Sequence, residues 1–295
     1  MNVESEKPAK KRRIRIFPII ILLFILLIGI LFYDSNTRLA TTEYELRYAN
    51  LPEQFDGYRI VVLSDIHATE FGRDNGRLLA KVAQARPDII VIAGDLTDYN
   101  EKKPIEEQIA IAETLVTGLA PIAPVYYITG NHEWDRRIDG PRALLQMLEE
   151  KDVRVLRNAY ALLEEGAASI ILAGTDDPNG PADMTKPDEF VGRIREAEGD
   201  GFIVMLEHRN NNLELYGGLG VDLVLCGHAH GGVIRLPFTD GIIGPQRDWF
   251  PTHTSGVYSM GNTKMLVSRG LGNSWGIPRF LNNPQIVVAV LVVDS

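Results

Sequence analysis

Five of the six histidines in this sequence lie in short polar clusters: Asp65-x-His67, Gly130-Asn131-His132, Glu207-His208 and Gly227-His228-Ala229-His230. A further cluster, Gly94-Asp95, supplies a carboxylate without a histidine. Each piece alone is ordinary turn chemistry, since Gly, Asp and Asn favour turns for local backbone reasons. Their chemistry becomes specific when they are taken together. Imidazole and carboxylate donors suit Mn, Fe, Co, Ni or Zn, whereas Mg prefers an all-oxygen shell with waters. Seven candidate ligands, Asp65, His67, Asp95, Asn131, His208, His228 and His230, are too many for one tetrahedral ion and suit two ions sharing a bridge. A short carboxylate such as Asp95 can bridge ions roughly 3.5–4 Å apart. Two dications, set against Asp65, Asp95 and one hydroxide, leave the site near +1. Such a centre attracts a phosphate and stabilises charge developing on its oxygens.

The elements that must position these residues are short apolar runs, each ending where a cluster begins. Arg59–Leu63, Asp88–Ala93, Val125–Ile128, Phe202–Leu206 and Leu223–Cys226 read as strands, with further strands at Ile170–Ala173, Lys264–Ser268 and Ile286–Val293. Gly76–Ala85, Ile105–Leu119 and Pro141–Glu150 read as helices between them. Strands alternating with helices early and dominating late predict one α/β domain with a mixed sheet or two packed sheets. In such folds polar residues just past the carboxyl ends of strands converge on one crevice.

Composition narrows the function. The chain has 295 residues, 45% of them apolar, and one Cys, which excludes a disulfide framework and a thiolate zinc cluster. Cys226 itself reads as inert core. The net charge of −9 hides an asymmetry: residues 1–15 carry +4, residues 16–33 carry no charge, and the remainder therefore carries −13. A domain that acidic is a poor partner for nucleic acid.

The run Ile16–Tyr33, IFPIIILLFILLIGILFY, spans about 27 Å as a helix, at the short end of what crosses a bilayer. The Lys/Arg cluster before it predicts a cytoplasmic N-terminus and a domain on the far side. A cleaved signal peptide would have a shorter apolar run and a small-x-small cleavage site. Asp34–Thr42 offers no such site, so a retained single-pass cell-membrane anchor is expected. The expected organisation is a basic tail at 1–15, an anchor at 16–33, a stalk at 34–56 and the catalytic domain at 57–295.

The ordered set Asp65-x-His67, Gly94-Asp95, Gly130-Asn131-His132, His208 and Gly227-His228-x-His230 resembles the motif set of the calcineurin-like metallophosphoesterases. The stretches GHAHGGVIRLPF and SRGLGNSWGIPRF resemble its membrane-anchored or exported YaeI/YkuE-type subgroup. The resemblance implies a four-layer α/β-β/α sandwich and two divalent ions, Mn, Fe or Zn. It implies that Asp65, His67 and His230 hold one ion, that Asn131, His208 and His228 hold the other, and that Asp95 bridges them. His132 would contact the scissile phosphate and serve the leaving group. The sequence departs from the pattern at Ala68-Thr69-Glu70, Arg209-Asn210 and Val233, none of which removes a ligand.

The expected activity is phosphodiester hydrolysis by metal-activated water on an envelope- or lipid-associated substrate. Arg209, Asn210 and Arg235 are the candidate substrate contacts because they lie near ligands in sequence. A pyrophosphatase acting on a lipid-linked nucleotide sugar would favour cytoplasmic access, against the Lys/Arg asymmetry. A non-catalytic interaction module would tolerate eroded metal motifs, and here none is eroded. No obligate protein partner is evident. Trp134, Trp249 and Trp275 sit in loop-like segments, where core packing is the expectation for each. Asp176-Asp177 reads as a turn.

Overall fold

A strand buried on both faces needs an unbroken apolar run, and a central strand of a covered sheet has that property. The computed structural model bears this out. It describes residues 16–98, 103–134, 141–181, 184–274 and 276–294; the basic segment 1–15 and Trp275 lie outside the described residues. The apolar runs form the middle of two six-stranded sheets. In the first sheet the order is β1 (Ala40–Tyr48), β12 (Gln285–Val293), β2 (Arg59–Leu63), β3 (Ile89–Ala93), β4 (Val125–Ile128) and β5 (Arg154–Val155). The second runs β10 (Gly256–Met260), β11 (Thr263–Val267), β9 (Leu223–Cys226), β8 (Ile203–Leu206), β7 (Ala168–Gly174) and β6 (Ala159–Glu165).

Period-two alternation divides each strand between two cores. From β2, Ile60 and Val62 face the second sheet, where they join Leu172, Val204, Leu206, Leu223, Leu225 and Leu266. Val61 and Leu63 face outward and are covered by α2 (Gly76–Ala85), α3 (Ile105–Leu119) and α4 (Arg142–Glu150) through Leu78, Val82, Leu115 and Leu148. The outer face of the second sheet is covered by α5 (Pro187–Glu198) and α6 (Leu213–Gly218) through Phe190, Ile194 and Tyr216. The layers are thus helices, sheet, sheet and helices, as expected. Each fully buried Leu, Ile or Val contributes about 1.5–3 kcal/mol.

β2, β3 and β4 are parallel neighbours, and so are β7, β8, β9 and β11. Parallel pairing brings their carboxyl ends to one edge of each sheet, and the predicted clusters follow those ends.

The segment expected to be a stalk is part of this domain. β1 runs parallel to β12 in unbroken register from Ala40–Gln285 to Tyr48–Val293. Its Leu46 and Tyr48, with Leu51 and Phe55 beyond it, are buried in the inter-sheet core. The polar residues of ATTEYELRY fall on the solvent side of an edge strand, which is why the segment reads as a linker. The apolar helix α1 (Ile16–Thr37) continues one turn past Tyr33 and ends against the domain. Ser35 Oγ accepts from Leu281 N–H at 2.7 Å. Asn36 exchanges two bonds with the Arg279 backbone, at 2.8 and 3.0 Å. No spacer separates helix and domain.

Candidate metal centre

Each predicted ligand stands two to four residues past a strand end: Asp65 and His67 after β2, Asp95 after β3, Asn131 after β4, His208 after β8, and His228 and His230 after β9. The structure gathers all seven between the two sheet edges. One oxygen or ring nitrogen from each of Asp65, His67 and His230 lies within 4.8 Å of the others. The same holds for Asp95, His208 and His228, and for His67, Asp95 and His132. Asn131 Oδ1 is 3.0 Å from His208 Nε2, which places it with the second group.

This donor set fits a pair of cations. His208 Nε2 faces three potential acceptors: Asp95 Oδ2 at 3.2 Å, Asn131 Oδ1 at 3.0 Å and His228 Nδ1 at 3.2 Å. One hydrogen cannot serve three lone pairs. His67 Nε2 and His230 Nε2 likewise approach to 3.2 Å with their rings stacked 19° from parallel. Converging lone pairs with too few protons between them are what a divalent ion satisfies.

The surroundings fix the ligands' orientation. His208 Nδ1 donates to Ala93 O across the sheets at 2.8 Å, leaving Nε2 turned to the site. The Asp65 carboxylate accepts from His228 N–H at 2.9 Å. Asp95 Oδ1 accepts from His132 N–H at 2.9 Å. Backbone strain concentrates here: Asp65, His67, Asp95, His228 and His230 have φ of 50°, 48°, 52°, 66° and 47°. Left-handed backbone costs a non-glycine residue on the order of 1 kcal/mol or more, and clusters at functional sites.

Glycines preceding these ligands make room for them. A Cβ on Gly130 would stand 2.5 Å from Asp95 N and closer still to Asp95 Oδ1. One on Gly94, which has φ +85°, would stand 2.6 Å from His208 Nδ1. The Gly-Asp and Gly-Asn-His motifs therefore record close packing of strand ends as well as turns.

Charge alternates through the cluster. Burial alone would lower the His208 pKa, but the Asp95 carboxylate outweighs it and raises the imidazole to about 10. Burial opposes ionisation of Asp95 as well, yet His208 and His132 hold it well below the usual carboxylate range. Burial pushes Asp65 up to about 6 and His67 down to about 4. His228 and His230 are driven well below the usual imidazole range, first by burial and then by His208 and His67 respectively. Asp95 thus favours the protonated form of the His208 ring.

His132 stands beside this group. Its Nδ1 is 2.9 Å from Asp98 Oδ1 and its Nε2 is 3.8 Å from Asp95 Oδ2. Burial opposes its charged form, but Asp95 and Asp98 together raise its pKa. It lines a cavity of about 180 Å³ together with Asp95, Asn131, His228, His230, Pro245, Arg247 and Ser274.

The expected substrate contacts are placed differently from one another. Arg209 forks onto Asp177 through Nε and Nη2, at 2.7 and 2.9 Å. Asn210 donates to His253 O at 2.8 Å. Both line a smaller hollow of about 140 Å³ that shares His228 and Pro245 with the first. Arg235 lines neither; its Nη1 donates to Asp240 O, Thr254 Oγ1 and Gly231 O. Asp176 and Asp177 are buried carboxylates with arginine partners, Arg157 and Arg209, rather than a plain turn. Trp134 is half-buried under Arg157, whereas Trp249 is 71% exposed, contrary to the core packing expected of it.

Four residues escaped sequence reasoning. Asp98 orients His132. Glu133 is fully buried and accepts from the backbone N–H groups of Asp95, Thr97 and Gly130 at 3.0, 3.0 and 2.7 Å, tying the β3 and β4 loops together. Arg279, 2% exposed, donates to Gly272 O at 2.6 Å and reaches His230 O and Nδ1 at 3.4 Å, bracing that ligand. Arg247 reaches the cavity from a long loop. Asp98 and Glu133 adjoin the Gly94-Asp95 and Asn131-His132 motifs; Arg279 and Arg247 carry no local signal.

Comparison with known proteins agrees with this geometry. Residues 58–232 match the Calcineurin-like phosphoesterase family. The chain is 30% identical over 262 residues to the metallophosphoesterase YkuE of Bacillus subtilis, covering 88% of this chain and 87% of YkuE. It is 24% identical over 237 residues to the phosphodiesterase YaeI of Escherichia coli, covering 80% and 82%. Over 213 residues it is 30% identical to a Danio rerio transmembrane protein with a metallophosphoesterase domain, covering 67% of this chain and 45% of that protein. The chain belongs to the calcineurin-like phosphoesterase family, in the company of YkuE and YaeI, and is a metal-dependent phosphoester hydrolase.

Proposed function

We propose that the protein is a membrane-anchored phosphodiesterase with two divalent ions, Mn, Fe or Zn, acting on an envelope- or lipid-associated phosphodiester. The observation that carries this reading is the convergence of two ligand groups, Asp65–His67–His230 and Asn131–His208–His228 around Asp95, beside the Asp98–His132 pair at an open cavity. When bound, the ions supply Lewis acidity toward a phosphoryl oxygen and make water acidic enough to attack at neutral pH.

The chain's own groups supply the rest. Water oxygen bonds to phosphorus as the opposite ester P–O bond breaks, giving a monoester and an alcohol. Asp98 holds His132 Nδ1, so Nε2 is the atom left to protonate the departing oxygen. Such a positioned acid contributes about 10²–10⁴-fold. Phe17–Thr37, with mean hydropathy 2.6, supports the anchor. The preceding Lys/Arg cluster supports an N-terminus inside and a catalytic domain outside. The phosphodiesterase YaeI and the Danio rerio transmembrane protein, each by its name, support the diester preference and the anchoring respectively.

The test is hydrolysis of bis-p-nitrophenyl phosphate and p-nitrophenyl phosphate by the full chain in detergent. Metal is first stripped, then Mn²⁺, Zn²⁺ or Mg²⁺ restored. Metal-dependent diester turnover, lost in Asp95→Ala and in His132→Ala while the latter still binds metal, supports the proposal. Two metals bound per chain with no turnover of either ester would overturn it.

A further inference from the structure

The second sheet's β9 is followed by a long segment without regular strands or α-helices, residues 234–252, before β10 begins. Folded monomers scatter single apolar residues over their surfaces, but several large exposed ones gathered in one segment point to a contact surface. Leu236, Phe238, Trp249 and Phe250 are all exposed, Phe238 completely and Phe250 by 66%. Ile277, on the neighbouring loop, is exposed too. Backbone bonds run through the segment and help hold its shape. Ile242 N–H donates to Ile234 O at 2.9 Å, Phe250 N–H to Ile242 O at 2.9 Å, and Gly244 N–H to Asp248 O at 2.9 Å.

Two features say what the tip touches. First, the segment is fixed to the end of α1. Ser35 and Asn36 bond to Leu281 and Arg279. Phe280, between them, pairs with Ile234 and accepts from Arg235 N–H at 3.0 Å. If α1 leaves the hydrocarbon near Tyr33, residues 279–281 and 234–235 lie at the headgroup level. One residue spans at most about 3.6 Å, so Leu236 lies within roughly 7 Å of that pairing, and Phe238 within about 14 Å. The headgroup layer is itself about 5–7 Å deep on each side. Second, the segment is electrically neutral, with Arg235 and Arg247 balancing Asp240 and Asp248 in a domain that is otherwise strongly acidic. Its contact is therefore apolar rather than electrostatic, and aromatic residues such as Trp249 are the ones that settle at a lipid–water boundary.

The same segment walls the metal cavity through Pro245 and Arg247. We propose that residues 234–252, with Ile277, form a membrane-contact surface: Leu236, Phe238, Trp249 and Phe250 dip into the headgroup layer beside α1, and the cavity opens onto the lipid surface, so that a phosphodiester enters from the membrane side. This rests on the reading of α1 as an anchor and of the site as a phosphodiesterase.

The experiment places an environment-sensitive nitrobenzoxadiazole label at Phe238→Cys in the full chain, reconstituted into phosphatidylcholine vesicles containing spin-labelled phosphatidylcholine. Cys226, the sole native thiol, is buried and stays unlabelled. The reference is Glu165→Cys, on the exposed β6–β7 turn at the end of the second sheet away from the site. Lipid spin labels should quench the label at 238 several-fold more than at 165, and should do the same at Trp249→Cys, an independent second position. Equal, weak quenching at 238, 249 and 165 would overturn the contact surface, leaving the tip to a protein partner. Bis-p-nitrophenyl phosphate turnover on the same vesicles separates the two readings. Turnover without lipid quenching overturns the surface and keeps the phosphodiesterase; quenching without turnover keeps the surface and overturns the phosphodiesterase. Protein that fails to float with the vesicles overturns the anchor and the surface together.

Discussion

Replacing Gly130 with Ala adds one methyl group to a solvent-shielded strand end, and the structure says where that methyl must go. Its carbon would stand 2.5 Å from Asp95 N, whereas ordinary Cβ contacts begin near 3.4 Å, so the Asp95 backbone would have to retreat by about 0.9 Å. Asp95 Oδ1, closer still, would have to move further, and its bond from His132 N–H would break. Metal–ligand distances tolerate only about ±0.2 Å. Misplacing a reacting group by about 1 Å costs on the order of 10²-fold in rate. Gly130→Ala should therefore lower kcat/KM on bis-p-nitrophenyl phosphate by about 10²-fold and weaken metal retention through gel filtration. Gly130 is not in the left-handed region, so the backbone itself accepts Ala without strain. Gly192→Ala is the matched control, since its added methyl would meet nothing within 4 Å. Wild-type turnover and metal content in Gly130→Ala would refute the claim that the glycines of these motifs hold space for the ligands.

Glu133→Gln leaves one of the three backbone donors facing an amide NH₂; an orphaned buried donor costs about 1–3 kcal/mol, or roughly 2–12 °C in Tm for a domain of this size, and an unchanged melting curve would show that the β3–β4 tie is not valued. Metal uptake should release protons, because Asp95, against the opposing pull of burial, holds the His208 imidazole up to about 10 and a bound ion needs that ring neutral; apparent affinity should rise about tenfold per pH unit per proton between pH 6 and 9, and titration calorimetry in buffers of contrasting ionisation enthalpy that finds no proton release would contradict this. Leu206→Ala, a fully buried residue of the inter-sheet core one position before Glu207-His208, should cost about 2–5 kcal/mol and loosen metal binding as well, so a variant with lower Tm but wild-type metal content would separate core from site.

The central strands were legible because burial on both faces demands an unbroken apolar run. Val125–Ile128 and Leu223–Cys226 have the predicted bounds, and Ile105–Leu119 is the predicted helix. The convergence of the candidate ligands was legible for a related reason: a carboxylate or imidazole at the end of a buried run has no packing role to explain it. β1, β6 and β10 were not legible, because edge strands show polar side chains to solvent. ATTEYELRY and AYALLEE therefore look like connecting chain. α5 and α6 escaped as well, since a helix covering a sheet on one stripe keeps a mostly polar sequence. Arg279 was invisible on different grounds. Its role is to cap carbonyls of loops 230 and 272, partners that only the folded chain brings near.

The centre draws its candidate ligands from both sheets, and this sets what holds it together. Asp65, His67, Asp95 and Asn131 follow strands of the first sheet; His208, His228 and His230 follow strands of the second. No single sheet supplies either complete ligand group, since His230 joins Asp65 and His67 while His208 and His228 join Asp95. The spacing of the ligands is therefore the spacing of the sheets, fixed by the apolar layer between them and pinned by His208 to Ala93 O and by His228 N–H to Asp65. Five of the seven ligands are also held at positive φ, a cost that the surrounding packing must overcome. Ions held by donors from both sheets would tie the two sheets together. The end of α1 touches the same construction through Arg279, whose backbone bonds Asn36 and whose guanidinium braces His230. The apolar helix α1, the 279–281 loop and the candidate ligand His230 are thus one connected piece of structure.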